Sequence, residues 1–251
     1  ASGDTANCTT IANNFVSQGV DLIMANGTTA LQAAATGTST IPILGTSITE
    51  YGVALGIDGF TSTTGYNVSG TSDLAPLDQQ AEMLHTWFPD AQTVGLLYCS
   101  AEPNSQYQVD TVQGYLEDLG YTCTQYSFSD SNDLSAVASS ACTASDVLYV
   151  PTDNTAANNA ELIGNISLDT GTPIIAGEEG ICKGCGVATL TISYYDIGYK
   201  TGEMAYDILV NGADPATMPI EYAPQFTPKY NPTMCEALGL TPPDGYEAIA
   251  E

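Results

Sequence analysis

The sequence predicts an α/β protein built on parallel sheet with helices on both faces. Three observations carry that expectation. Short apolar runs alternate with helical runs along the chain. Most apolar runs end in a polar turn that opens a helix. Hydrophobic residues make up 43% of the 251, ample for a packed core. Successive parallel strands need a crossover, and a helix supplies it. The length suits one large domain or two lobes of about 120 residues each.

The elements follow in order. Residues 20–25 read as a short buried strand, the turn Asn26-Gly27-Thr28-Thr29 follows, and 30–36 are helical. A second strand over 41–45 ends in Thr46-Ser47, and 48–66, rich in Gly and Thr, are expected to be irregular. A new series opens with an amphipathic helix over 76–88, with Leu77, Ala81, Leu84 and Phe88 at helical spacing. Strand 93–98 leads to helix 105–119, closed by Gly120, then strand 121–128 and helix 133–141 with its cap in 130–132. Strand 146–150, helix 155–169, strand 173–176, strand 186–192 and a long helix over 195–210 complete the series.

Composition narrows the function. Three Lys, no Arg and 29 Asp plus Glu give a net charge of −26. Such a chain repels a phosphate backbone, so no nucleic acid is expected as a partner, and an anionic membrane surface is disfavoured in the same way. The bland reading of the acidity is a soluble or secreted surface. Seven cysteines are spread along the chain and His85 is the only histidine, so no metal-ligand spacing exists and neither metal nor cofactor is expected. An odd count leaves at least one thiol unpaired. Dispersed cysteines in so acidic a chain point to an oxidising, extracytoplasmic location. The pair Cys182-x-x-Cys185 reads as a small structural disulfide rather than a redox motif, and Cys123 and Cys142 are a second candidate pair. No stretch reads as a membrane span or a signal peptide.

In parallel sheets ligands sit at the carboxyl ends of the strands. The turns there share a chemistry: Asn26-Gly27-Thr28-Thr29, Thr46-Ser47, the stretch 100–105 with Glu102, Asn104 and Ser105, the stretch 151–155 with Asp153 and Asn154, and Gly177-Glu178-Glu179-Gly180. Helix N-termini and hydroxyls there offer donors for a carboxylate. Asp153, with Glu178 or Glu102, offers acceptors for an ammonium group. Donors for a carboxylate and anions for an amine are what a zwitterionic amino acid requires. With no arginine, the carboxylate must be held by N–H and hydroxyl groups. Each such turn taken singly also reads as an ordinary helix cap. Tyr98, Tyr107 and Tyr149 near these turns could stack on an aromatic ligand, although each also reads as core or surface filling. His85 reads as a surface residue and Cys99 as incidental.

The order of motifs goes further. The run NVSGTSD at 67–73, then LLYCSAEPNS, YVPTDNT at 149–155, PIIAGEEG at 173–180, GVATLTISYYDIGYKTGEMAYDIL at 186–209 and ADPATMPIEY at 213–222 resembles the substrate-binding component of bacterial ABC importers for aromatic amino acids. The resemblance spans the whole chain. It implies a type I periplasmic-binding-protein fold: two Rossmann-like lobes joined by three crossovers, closing on a ligand in the interlobe cleft. It implies lobe one at 1–73 and 187–217 and lobe two at 74–186 and 218–251. It also implies a β-α-β unit ahead of residues 4–19, so lobe one is expected to lack its first such unit. Thr28, Thr29, Asn104 and Ser105 would hold the carboxylate, and Asp153 with Glu178 the amine. The partners implied by the resemblance are a small-molecule ligand (an aromatic amino acid) and the membrane permease of an ABC importer. Two alternatives stay open: a cofactor-independent amino-acid racemase with facing cysteines, for which Cys99 would be one, and a ligand sensor that docks to a receptor.

Overall fold

A computed structural model describes residue 1 and residues 4–250. The chain divides into two compact units, residues 1–74 with 193–225 and residues 75–192 with 226–251.

The first unit opens with α1 (Thr5–Gln18), capped by Asp4 and closed by Gly19 in the left-handed conformation. Then come β1 (Ile23–Asn26), α2 (Thr28–Gly37), β2 (Ile43–Ile48), α3 (Tyr51–Leu55) and β3 (Val68–Ser72). The sheet adds β9 (Glu221–Tyr222) in the order β1-β2-β3-β9, all parallel. Buried Leu31, Tyr51 and Ala54 pack one face against Ile23, Ile43 and Val68. Met204 and Ile208 of α10 (Tyr194–Leu209) pack Leu44 on the other.

Strict alternation along β2 would put Ile48 with Leu44 on the α10 side. Ile48 packs instead with Ile43 and Tyr51. The β2–β3 register explains the reversal: Gly45 pairs with Gly70 but Ile48 pairs with Ser72, so β2 carries one extra residue. Ser47 sits in that bulge at φ 54°, a left-handed conformation that non-glycine residues adopt at a cost.

The second unit contains α4 (Leu77–Trp87), β4 (Thr93–Cys99), α5 (Pro103–Asp118), β5 (Thr122–Phe128), α6 (Leu134–Ala144) and β6 (Val147–Val150). It continues with α7 (Asn154–Asn158), α8 (Ala160–Thr170), β7 (Ile174–Ala176), α9 (Glu179–Gly184) and β8 (Ala188–Thr191), then β10 (Thr227–Tyr230), α11 (Pro232–Leu238) and β11 (Glu247–Ala248). The strand order is β11-β10-β8-β7-β6-β4-β5, parallel except where β10 meets β8. Two cores cover its two faces, and the strands feed them alternately. Leu96, Tyr98 and Tyr149 join Leu84, Val109 and Leu116 on one side. Leu97, Leu148 and Val150 join Leu134, Ile163 and Ile181 on the other. Burying each such Leu or Ile contributes about 1.5–3 kcal/mol. The single tryptophan, Trp87, stands edge-on to Tyr246, near the end of the chain, with ring centroids 5.3 Å apart.

Several local expectations need correction. Residues 48–66 are not wholly irregular, because Glu50 accepts from the Val53 N–H and starts α3. Helix 155–169 is two helices, broken at Asn159. The second helix of that unit starts at Pro103, a residue whose fixed φ and missing N–H suit a first turn. The division between units falls at 74/75, 192/193 and 225/226 rather than at 73/74, 186/187 and 217/218. The later breaks differ because β8 pairs with β7 and β10 in the second sheet, while β9 pairs with β3 in the first.

All seven cysteines are free thiols. Cys123 and Cys142 cannot pair, because Cys123 packs in one core of the second unit and Cys142 in the core on the other face of the sheet. Cys182 and Cys185 ride on α9 and its cap as buried thiols. Burial pushes both thiols up, which makes them poor nucleophiles.

Candidate functional site

Each unit presents its own set of turns at the carboxyl edge of its sheet. In the first unit Asn26 ends β1 and is exposed, and Gly27 turns the chain at φ 87° into α2. Thr28 is buried and Thr29 half-buried in the first turn of that helix. No side chain caps α2. Its first amides therefore project from a positive helix end without an acceptor among the described residues. Beside it the Gly27 N–H donates to Thr46 O at 3.0 Å, which locks this turn to the end of β2. Thr46 is buried and its hydroxyl accepts from Thr71 at 3.2 Å, while Ser47 projects from the bulge and is half-buried. The five residues nominated in this unit are thus brought to two adjoining turns.

The second unit ties its nominated residues together by a polar network. Glu102 is the hub. Its Oε1 accepts from Thr155 N (2.9 Å) and Thr155 Oγ1 (2.8 Å), and its Oε2 from Asn154 N (3.0 Å) and Asn154 Nδ2 (2.7 Å). A weaker donor, Asn104 Nδ2, lies 3.4 Å from the same oxygen. Those contacts fill the four lone-pair sites of a carboxylate. Glu102 clamps the start of α7 to the start of α5.

Asp153 is also engaged. Its Oδ1 accepts from Ala156 N at 2.8 Å and its Oδ2 from Cys99 N at 2.7 Å, with 1% of the residue exposed. Burial, reinforced by the neighbouring Glu102 charge, pushes this carboxyl up to about 6. Asn104 and Ser105 are both buried, with Asn104 Nδ2 3.3 Å from Ser105 Oγ and from Thr152 O. Glu178 caps α9 through the N–H groups of Gly180 (2.6 Å) and Ile181, one on each oxygen. Burial raises its carboxyl. It is half-buried, so each oxygen keeps a further lone pair. Of the three carboxylates nominated for an ammonium group, Glu178 alone combines partial exposure with that spare capacity.

Two buried amides that the sequence reading passed over hold these turns. Gln108 Nε2 donates to Thr152 O and its Oε1 accepts from Thr152 N, both at 3.0 Å. Gln80 Nε2 donates to Gly177 O at 3.0 Å, and its Oε1 accepts from Tyr149 OH at 2.6 Å. The signal was available: a glutamine on the apolar stripe of an amphipathic helix must have a partner. Asp73 was also not singled out from the sequence. It directly follows β3, is buried, and accepts from Tyr194 OH at 3.4 Å.

The stacking role considered for Tyr149 and Tyr98 does not fit. Tyr149 is wholly buried under Gln80, and Tyr98 is 5% exposed with its hydroxyl on Gln106 and Gln125. Cys99 is 2% exposed with its thiol raised by burial, and its contribution is the backbone N–H given to Asp153. His85 is exposed and its Nδ1 lies 2.7 Å from Tyr121 OH.

The family model for ABC transporter substrate binding protein matches residues 1–250. The chain belongs to this family. A curated relative of this chain, the tyrosine-binding protein of Clostridioides difficile (strain R20291), is 36% identical over 209 residues. That match covers 83% of this chain and 60% of the relative, so the chain spans about three-fifths of that relative's length.

Among solved structures, an ABC domain in complex with L-Trp from Streptococcus pneumonia matches with a TM-score of 0.92 at 28% identity, covering 98% of this chain and 86% of the other. A ligand-free, open substrate-binding protein with adhesive properties from Clostridium difficile matches with a TM-score of 0.73 at 35% identity, covering 98% and 83%. The chain has the type I periplasmic-binding-protein fold. Among the described residues no helix is long and apolar enough to cross a membrane.

Proposed function

We propose that this chain is the extracytoplasmic solute receptor of an ABC importer and that its ligand is an aromatic amino acid. The observation that carries the reading is the uncapped N-terminus of α2, set beside Thr28, Thr29 and the strained Ser47. It supplies N–H and hydroxyl donors for a carboxylate in a chain without arginine. Glu178 is the acceptor proposed for the ammonium group. Asn26, Thr46, Asn104, Ser105 and Asn154 complete the binding turns of the two units, and Glu102 and Asp153 position them. Similarity to a tyrosine-binding protein and to a domain holding L-Trp supports an aromatic side chain. A permease partner and an extracytoplasmic location rest on the family.

Calorimetry with the twenty amino acids tests this. Saturable binding of L-tyrosine, L-tryptophan or L-phenylalanine is expected, with Thr28→Val weakening it about tenfold through loss of a charge-assisted hydrogen bond. No heat with any amino acid would sink the proposal. The optical rotation of the bound amino acid is expected to stay constant. A decay would revive the racemase alternative, against which the buried Cys99 thiol already stands.

A further inference from the structure

The two sheets end in four edge strands, and these differ. β9 and β11 are two residues long and each carries a glutamate, Glu221 and Glu247. β1 has four residues. β5 closes the second sheet with seven, Thr122–Phe128, and pairs with β4 residue for residue over its whole length, without a bulge. It holds no charged residue and no proline, in a chain of net charge −26. Shortness, charge, proline and bulges keep a strand edge from pairing with another chain, and β5 has none of them.

The ladder to β4 fixes which backbone groups face outward. The Thr122 N–H donates to Gln92 O at 2.9 Å, and Phe128 O accepts from the Ser100 N–H at 2.9 Å. Residues 122, 124, 126 and 128 therefore turn their backbone groups toward β4, and Cys123, Gln125 and Ser127 turn theirs to the open edge. The side chains leave that edge clear. Gln125 is held against α5, where its Nε2 donates to Asp110 Oδ1 at 3.0 Å and to Gln113 Oε1 at 2.8 Å, and its Oε1 accepts from Tyr98 OH at 3.1 Å. Cys123 packs against the core on the α5 side, and Tyr126 against the core on the α6 side. α6 itself carries no charged residue.

This edge is complementary to itself. When a second β5 lies antiparallel with the twofold axis at Gln125, Gln125 stands opposite Gln125 of the second copy and Cys123 stands opposite Ser127. These are hydrogen-bonded pairs, each exchanging both N–H···O bonds, so every outward group from 123 to 127 finds a partner. On the α6 side Thr124 meets Tyr126 of the second copy, a β-branched side chain against an aromatic one, and on the α5 side the small Cys123 meets Ser127. Two such acidic chains repel each other least along an uncharged strip. A basic peptide, by contrast, finds no carboxylate on β5 to pair with. We propose that two copies of this chain associate through β5, in antiparallel register, so that their second sheets become one.

Sedimentation velocity over a concentration series, at about 0.02 M and 0.5 M NaCl, tests this. A reversible monomer–dimer equilibrium is expected, about tenfold or more tighter at the higher salt, where repulsion is screened. Ser127→Pro removes an outward N–H and leaves the ladder to β4 intact, and Thr124→Glu puts a carboxylate into the strip on both copies. Each is expected to weaken the dimer about tenfold or more, and circular dichroism checks that both variants fold. Amide exchange of the unaltered chain supplies a second readout. The Cys123, Gln125 and Ser127 amides are expected to exchange more slowly as concentration rises. A chain that stays monomeric at both salt concentrations overturns the proposal. So does a dimer that neither folded variant weakens, or one that leaves those three amides unprotected, as pairing through β1 would.

Discussion

At Asp153 a carboxylate is held in the interior by two backbone N–H groups, and burial makes its charge costly. The folded state pushes it up to about 6, against about 3.9 for a free aspartate, so between those values the folded chain holds the proton more tightly than the unfolded chain. This group therefore makes stability rise as pH falls from 7 toward 4.5, by about 2 kcal/mol. Urea unfolding of wild type and Asp153→Asn at the two pH values checks this, and the variant is expected to lose that part of the slope.

Gly70 and Ser47 make the corresponding case for backbone. At Gly70, φ is 143° and a Cβ would run into the Gly45 carbonyl, so Gly70→Ala is expected to cost about 3 kcal/mol or more in urea midpoint analysis. Ser47 tolerates φ 54° only at a cost. Ser47→Val should destabilise by about 1–2 kcal/mol while Ser47→Gly stays near neutral.

At the scale of elements, α7 is five residues long and has little intrinsic stability. Glu102 and Asp153 hold its first turn. Glu102→Ala would leave the N–H groups of Asn154 and Thr155 without their acceptor and is expected to cost about 2 kcal/mol. Faster amide exchange over 153–158 would register the loosening, and an unchanged exchange pattern would count against the clamp.

The same elements show what can be read from a sequence. The alternation of apolar runs placed β4, β6 and β7 and the helices between them, because periodicity reports which face is buried. It also placed Glu102, Asn104, Asp153 and Glu178 at strand ends. It could not say that those oxygens point at backbone N–H groups, since a capping carboxylate and a ligand-facing one are the same letter. Nor could it find the break at Asn159 or α9, whose causes are caps and contacts distant in the chain. The bulge at Ser47 was invisible for a related reason: a one-residue insertion only acquires meaning against its partner strand.

For the whole molecule, charge is the dominant global variable. A net charge of −26 on 251 residues works against compactness at low ionic strength. Melting temperature is expected to rise by a few degrees between about 0.02 M and 0.5 M NaCl as repulsion is screened. A flat or falling response would mean that counter-charges are already arranged locally. Among the described residues the ion pairs are Lys229–Glu179 at 2.7 Å and the exposed Lys200–Glu203, so little such arrangement exists. The edge-on contact between Trp87 and Tyr246 gives this molecule an unlabelled reporter. One indole in 251 residues emits one signal, and it comes from the seam where the end of the chain meets α4. Tyr246→Ala should shift that emission to longer wavelength in the folded protein, so packing of this seam can be followed by fluorescence without a label.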